Sequence, residues 1–63
     1  MNRVTQDEIL TYLDIVSQDI FNKNYEDLSK TNKFTLRVNL KVRKDLDEIP
    51  DDVYRDILEY MDS

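Results

Sequence analysis

Phe34-Thr35-Leu36-Arg37-Val38-Asn39-Leu40-Lys41-Val42-Arg43 is the stretch on which the fold turns. Its apolar residues occupy every even position and its polar residues every odd one, which is the period of a β-strand with one buried face. As a strand, the ten residues reach about 33 Å at roughly 3.3 Å each, in a domain about 27 Å across by ordinary size scaling. No glycine, proline or Asn-Gly pair breaks the run into a hairpin, and no second run of similar quality exists. The strand is therefore expected to pair with a short strand from residues 24–31 or with another chain. The second route is a symmetric homodimer ribbon or addition to the edge of a target's sheet.

Upstream, Thr5-Gln6-Asp7-Glu8 has the pattern of a capping box, with Val4 and Ile9 placed as a hydrophobic staple. Ile9, Leu10, Leu13, Val16, Ile20 and Phe21 then recur at helical spacing, with Tyr12 at the edge of the stripe. Asp7, Thr11, Asp14 and Gln18 fall on the other face. The helix should end near Asn22-Lys23-Asn24, because asparagine tolerates the left-handed cap conformation. Tyr25 and Leu28 suit one more helical turn, and Ser29-Lys30-Thr31-Asn32 reads as loop.

Downstream, Pro50 suits the first turn of a helix, and Asp51 and Asp52 complement its dipole. Val53, Tyr54, Ile57, Leu58 and Met61 form its apolar face, and Arg55 is spaced to pair with Asp51 and Glu59. Asp62 puts negative charge at the wrong end of the dipole, so the last turn is expected to fray. The predicted fold is α+β: one small domain over residues 1–63, with an amphipathic helix, one long strand and a second helix.

A chain of 63 residues buries only roughly 60% of its unfolded surface. It has no cysteine to staple that thin core and no histidine. A 40% apolar content favours a folded domain over disorder. No apolar run approaches the length of a membrane span and no signal-peptide core follows Met1, so the expected location is the cytoplasm, without membrane contact. The richness in asparagine, lysine, aspartate, isoleucine and tyrosine matches an AT-rich coding sequence.

The net charge of -5 hides a block structure. Residues 1–32 carry six acids against three bases, residues 33–44 five bases and no acid, and residues 45–63 eight acids against one base. On a flat strand Lys33, Thr35, Arg37, Asn39, Lys41 and Arg43 share one basic face. Asp45, Asp47, Glu48, Asp51, Asp52, Asp56, Glu59 and Asp62 form the opposing acidic block. Among four tyrosines, Tyr25 reads as the exposed contact anchor, whereas Tyr12, Tyr54 and Tyr60 accompany helical apolar stripes.

Enzyme chemistry is disfavoured by what is absent. Without histidine or cysteine the commonest general base and the strongest nucleophile are both missing. Zero glycines remove the P-loop, the dinucleotide fingerprint, the nucleophile elbow and the standard EF loop. Clustered acids at 45–48 and 51–52 read as dipole complements, so no metal and no cofactor are expected.

The sequence is therefore expected to be a non-enzymatic, protein-binding inhibitor or adaptor that occupies a site on a larger, nucleic-acid-handling protein through its acidic block and Tyr25. In size, acidity and lack of catalytic groups it resembles the short acidic proteins that phages encode against host nucleic-acid enzymes, among them anti-CRISPR and DNA-mimic proteins. That resemblance is one of composition and implies a phage or mobile-element origin. The alternative is a dimeric DNA-binding protein whose paired strands present Lys33, Thr35, Arg37, Asn39, Lys41 and Arg43 to a major groove. Two features count against it: only about one helix follows the strand, where ribbon-helix-helix repressors have two, and that helix is acidic.

Overall fold

The computed structural model describes residues 5–62, and the staple residue Val4 lies outside them. Three α-helices follow one another: α1 (Gln6–Phe21), α2 (Lys30–Asp45) and α3 (Asp51–Asp62), with a single 3-10 turn (Tyr25–Asp27) between the first two. No strand occurs among the described residues. The expected α+β fold is thus corrected to an all-α domain, and the alternating stretch 34–43 lies within α2.

The correction has a simple geometry. At 3.6 residues per turn, residues two apart point to nearly opposite sides of a helix, and residues four apart stack on one side. The even positions of 34–43 therefore divide into two rows. Leu36 and Leu40 are fully buried, whereas Phe34 (68%), Val38 (50%) and Val42 (51%) stand exposed on the outer side. A helix also satisfies its backbone donors and acceptors internally, which a lone strand without a mate cannot do. It is compact as well: sixteen helical residues are about 24 Å long, within principal extents of 33 × 24 × 19 Å.

The start of α2 explains why it reads as loop. Ser29 is its N-cap, with the side-chain oxygen accepting from the Asn32 N–H at 3.1 Å. The position that would complete a capping box holds Asn32 in place of glutamate or glutamine. The first turn of α2 contains no acid, although the dipole there favours negative charge. By contrast, α1 starts as expected, Thr5 Oγ1 accepting from the Glu8 N–H at 3.2 Å. It also stops as expected, with Asn22 in the left-handed region at φ 59° and its N–H donating to the Gln18 carbonyl.

The core is assembled from every segment. Ile9, Leu13 and Val16 come from α1, Tyr25 from the 3-10 turn, Leu28 from the residue that caps it, Leu36 and Leu40 from α2, Ile49 from the α2–α3 turn and Ile57 from α3. Full burial of one such aliphatic side chain contributes about 1.5–3 kcal/mol. Leu10, Tyr12, Ile20, Phe21, Val53, Tyr54, Tyr60 and Met61 pack around these residues as partly buried neighbours. Ser17 is also fully buried in α1, and its hydroxyl has no hydrogen-bond partner among the described residues.

The α2–α3 turn closes α2 with two bonds of the Schellman type. Glu48 N–H donates to the Arg43 carbonyl at 2.9 Å and Asp47 N–H to the Lys44 carbonyl at 3.0 Å. Asp47 takes the left-handed position at φ 62° that glycine usually fills. A chain with no glycine thus uses asparagine and aspartate, the residues that tolerate this conformation best after glycine. Ile49 follows immediately and plugs the core.

Candidate functional site

The acidic surface is built on the α2–α3 turn and the outer side of α3. Asp51 and Asp52 open α3, where the dipole stabilises them. Asp52, Asp56 and Glu59 follow at spacings of four and three, so they share one side of the helix. This side is turned away from buried Ile57. Asp52 and Glu59 are exposed and Asp56 is half-buried.

Ion pairing divides the acidic block in two. Asp45 accepts from Lys41 Nζ at 2.9 Å and lies 3.9 Å from Lys44 Nζ, which also reaches Asp51 at 3.7 Å. Asp47, Glu48, Asp52, Asp56 and Glu59 form no ion pair among the described residues. Arg55 forms none there either, so the expected Asp51–Arg55–Glu59 ladder is not what the structure shows: Asp51 turns to Lys44 instead. Five carboxylates thus remain available on one continuous stretch of chain.

Tyr25 is not the exposed anchor that its loop setting suggests. It is 8% exposed, its ring lying 6.3 Å from that of Tyr60 and under Lys33 Nζ, 4.9 Å from the ring centroid. Its N–H donates to Asp14 Oδ1 at 2.9 Å, which fastens the 3-10 turn to α1. Burial, and then the neighbouring Tyr60, push its phenol above the ordinary tyrosine range. Tyr25 is a core bracket.

The basic strand face does not exist as a face. On α2 its six residues separate into a Lys33–Arg37–Lys41 row and a Thr35–Asn39–Arg43 row on different sides of the helix. Most of the cations are engaged within the molecule. Arg37 clasps Asp62 with two hydrogen bonds of 2.9 and 3.1 Å, Lys41 holds Asp45, and Arg43 binds Asn39 at 2.7 Å and approaches Asp19 at 3.8 Å. The strand that both the paired-strand DNA ribbon and the strand-mediated homodimer require does not occur among the described residues. The Arg37 clasp also answers the expected fraying of α3, because it neutralises the carboxylate at the end where the dipole opposes it.

Two open clefts flank α2. One, of about 470 Å³, lies between α1 and α2 and is lined by Tyr12, Ile15, Asp19 and Arg43 among others. The other, of about 210 Å³, lies beside Tyr25, Lys33, Phe34, Arg37 and Met61. Neither brings a nucleophile to a base. Among the described residues no three acids converge in a way that could hold a metal ion, and no helix is long and apolar enough to cross a membrane.

Sequence reasoning missed the outward row Phe34, Val38 and Val42, which continues to Leu46, 66% exposed just past the helix end. Its signal was present as an apolar residue at every fourth position. Compared with protein-family models, curated proteins and solved structures, the chain matches none.

Proposed function

We propose that this chain is a non-enzymatic binding module of the inhibitor or adaptor kind, which occupies a site on a larger protein through the acidic surface of the α2–α3 turn and α3. The observation that carries this reading is the set of five carboxylates, Asp47, Glu48, Asp52, Asp56 and Glu59, that form no ion pair among the described residues. Clustered like charge destabilises a folded domain by self-repulsion and accelerates encounter with a surface of opposite sign. A rigid helix presenting acids at spacings of four and three suits a basic groove that otherwise receives nucleic-acid phosphates. The chain is then a phage-type inhibitor or adaptor acting on a nucleic-acid-handling protein in the cytoplasm.

The test compares tagged chain with a variant carrying Asp52→Lys, Asp56→Lys and Glu59→Lys, both used to capture partners from native-host lysate for mass spectrometry. The expected result is a basic nucleic-acid-handling protein retained at low salt by the unmodified chain and lost by the variant. Equal retention by a variant with unchanged helical circular dichroism refutes the assignment.

A further inference from the structure

The cleft of about 470 Å³ between α1 and α2 brings a guanidinium, a carboxylate and an apolar wall to one space. Arg43 lines it from α2 with its orientation already fixed, because its Nε donates to Asn39 Oδ1 at 2.7 Å, one turn earlier on the same helix. Its terminal nitrogens form no hydrogen bond among the described residues: Asp19 Oδ2 stands 3.8 Å from Nη2, outside hydrogen-bond reach. A guanidinium held at Nε, with the end of its fork open, is prepared for a carboxylate in two parallel bonds.

The surroundings of Arg43 fix the charge of what can bind there. Asp19 lies in the last turn of α1, which contains no base, so the negative end of the helix dipole adds to its carboxylate. A bare anion on Arg43 would meet Asp19, that dipole end and a chain of net charge -5. A bare cation on Asp19 would meet Arg43. A zwitterion satisfies both groups, its carboxylate on the guanidinium and its ammonium on Asp19. The 3.8 Å between the two protein charges is comparable with the spacing of ammonium and carboxylate around one α-carbon, so the two dipoles can lie antiparallel. Tyr12, Ile15 and Val16 line the α1 side of the same cleft, and Ile15, 62% exposed, gains cover from an apolar side chain laid against it. The volume falls within the roughly 300–1,000 Å³ of small-molecule sites.

We propose that this cleft binds a free α-amino acid with an aliphatic or aromatic side chain. Arg43, positioned by Asn39, takes the carboxylate; Asp19 takes the ammonium; and Tyr12, Ile15 and Val16 receive the side chain. The site shares no residue with the acidic surface of the α2–α3 turn and α3, so it adds a small-molecule ligand to a chain read above as a protein-binding module.

The experiment titrates the isotopically labelled full chain with L-leucine and L-phenylalanine and follows its amide shifts by NMR. The expected result is saturable movement centred on Tyr12, Ile15, Asp19 and Arg43 at about millimolar concentration. Glycine lacks the side chain, N-acetyl-L-leucine the ammonium and L-leucine methyl ester the carboxylate, so each should bind about tenfold or more weakly, the loss that follows when a contact to a charged group is removed. Asp19→Asn and Arg43→Met should weaken L-leucine binding to the same extent. Reversal of Asp52, Asp56 and Glu59 to lysine should leave it unchanged, so this site and the α3 contact fail independently. Circular dichroism checks that each variant keeps its helices. Arg43→Met also removes the bond to Asn39, so Asp19→Asn, at an exposed carboxylate, decides if Arg43→Met unfolds. Shifts that do not saturate or that centre elsewhere overturn the proposal, as does equal binding by folded Asp19→Asn. Equal or tighter binding of glycine, the acetylated analogue or the ester overturns it too, by removing the side-chain, ammonium or carboxylate contact from the recognition.

Discussion

Asp62 shows how one side chain can be wrong for its helix and right for the molecule. At the C-terminal end of α3 its charge opposes the dipole, yet the hydrogen bonds from Arg37 hold its carboxyl below the ordinary carboxylate range. A carboxylate whose folded pKa is lowered stabilises the fold above its unfolded value, and that contribution disappears as pH falls through the folded value. The difference in Tm between the unmodified chain and Asp62→Asn should therefore be present at neutral pH and close below the ordinary carboxylate range. Thermal melts monitored by circular dichroism across that window check it. A difference that persists in strong acid would mean that the introduced amide perturbs packing and that the ion pair is not the source.

At the scale of the element, α2 decides between two readings of the same ten residues. A one-sided strand would bury Phe34, Leu36, Val38, Leu40 and Val42 alike, whereas the helix buries only Leu36 and Leu40. Leu40→Ala should consequently lower stability by about 2–5 kcal/mol, as large-to-small changes in a core do. Val38→Lys should change it by no more than about 0.5 kcal/mol, the usual range for exposed positions. Urea unfolding of the two variants separates the readings, and equal large losses would restore the buried-face picture. Both other helices were legible because their apolar residues follow a single helical stripe and their starts carry conventional signals, Thr5 with Glu8 in one and Pro50 with Asp51 in the other. α2 was not, since two apolar rows on opposite sides of a helix sum to an alternation of period two. Its cap offered no correction, Ser29 being followed by Asn32 where glutamate would have marked a start. Tyr25 departs from its expected exposure, and Ile49 carries no sequence signal of burial, for a related reason: each lies outside a regular stripe and is buried by contacts that only the assembled fold provides.

Over the whole molecule, charge is segregated by helix. The bases gather on α2, and acids dominate α3 and the turn before it. Internal pairs cross this division at Arg37–Asp62, Arg43–Asp19 and Lys44–Asp51, so the segregation contributes to holding the helices together. Charges outside these pairs are spread more widely: the α3 carboxylates, Lys30 and Lys33 at the start of α2, Arg55, Lys23 and the α1 acids Asp7, Glu8 and Asp14 form no ion pair among the described residues. The acidic candidate site was thus partly legible from composition, whereas the division into engaged and available carboxylates required the fold. The two-sided character of α2 also has an evolutionary consequence. Leu36 and Leu40 answer to the interior of their own chain, and Phe34, Val38 and Val42 answer to whatever lies outside it. Among diverging descendants the first pair should keep its aliphatic volume, while the outward three are released from that constraint and free to vary.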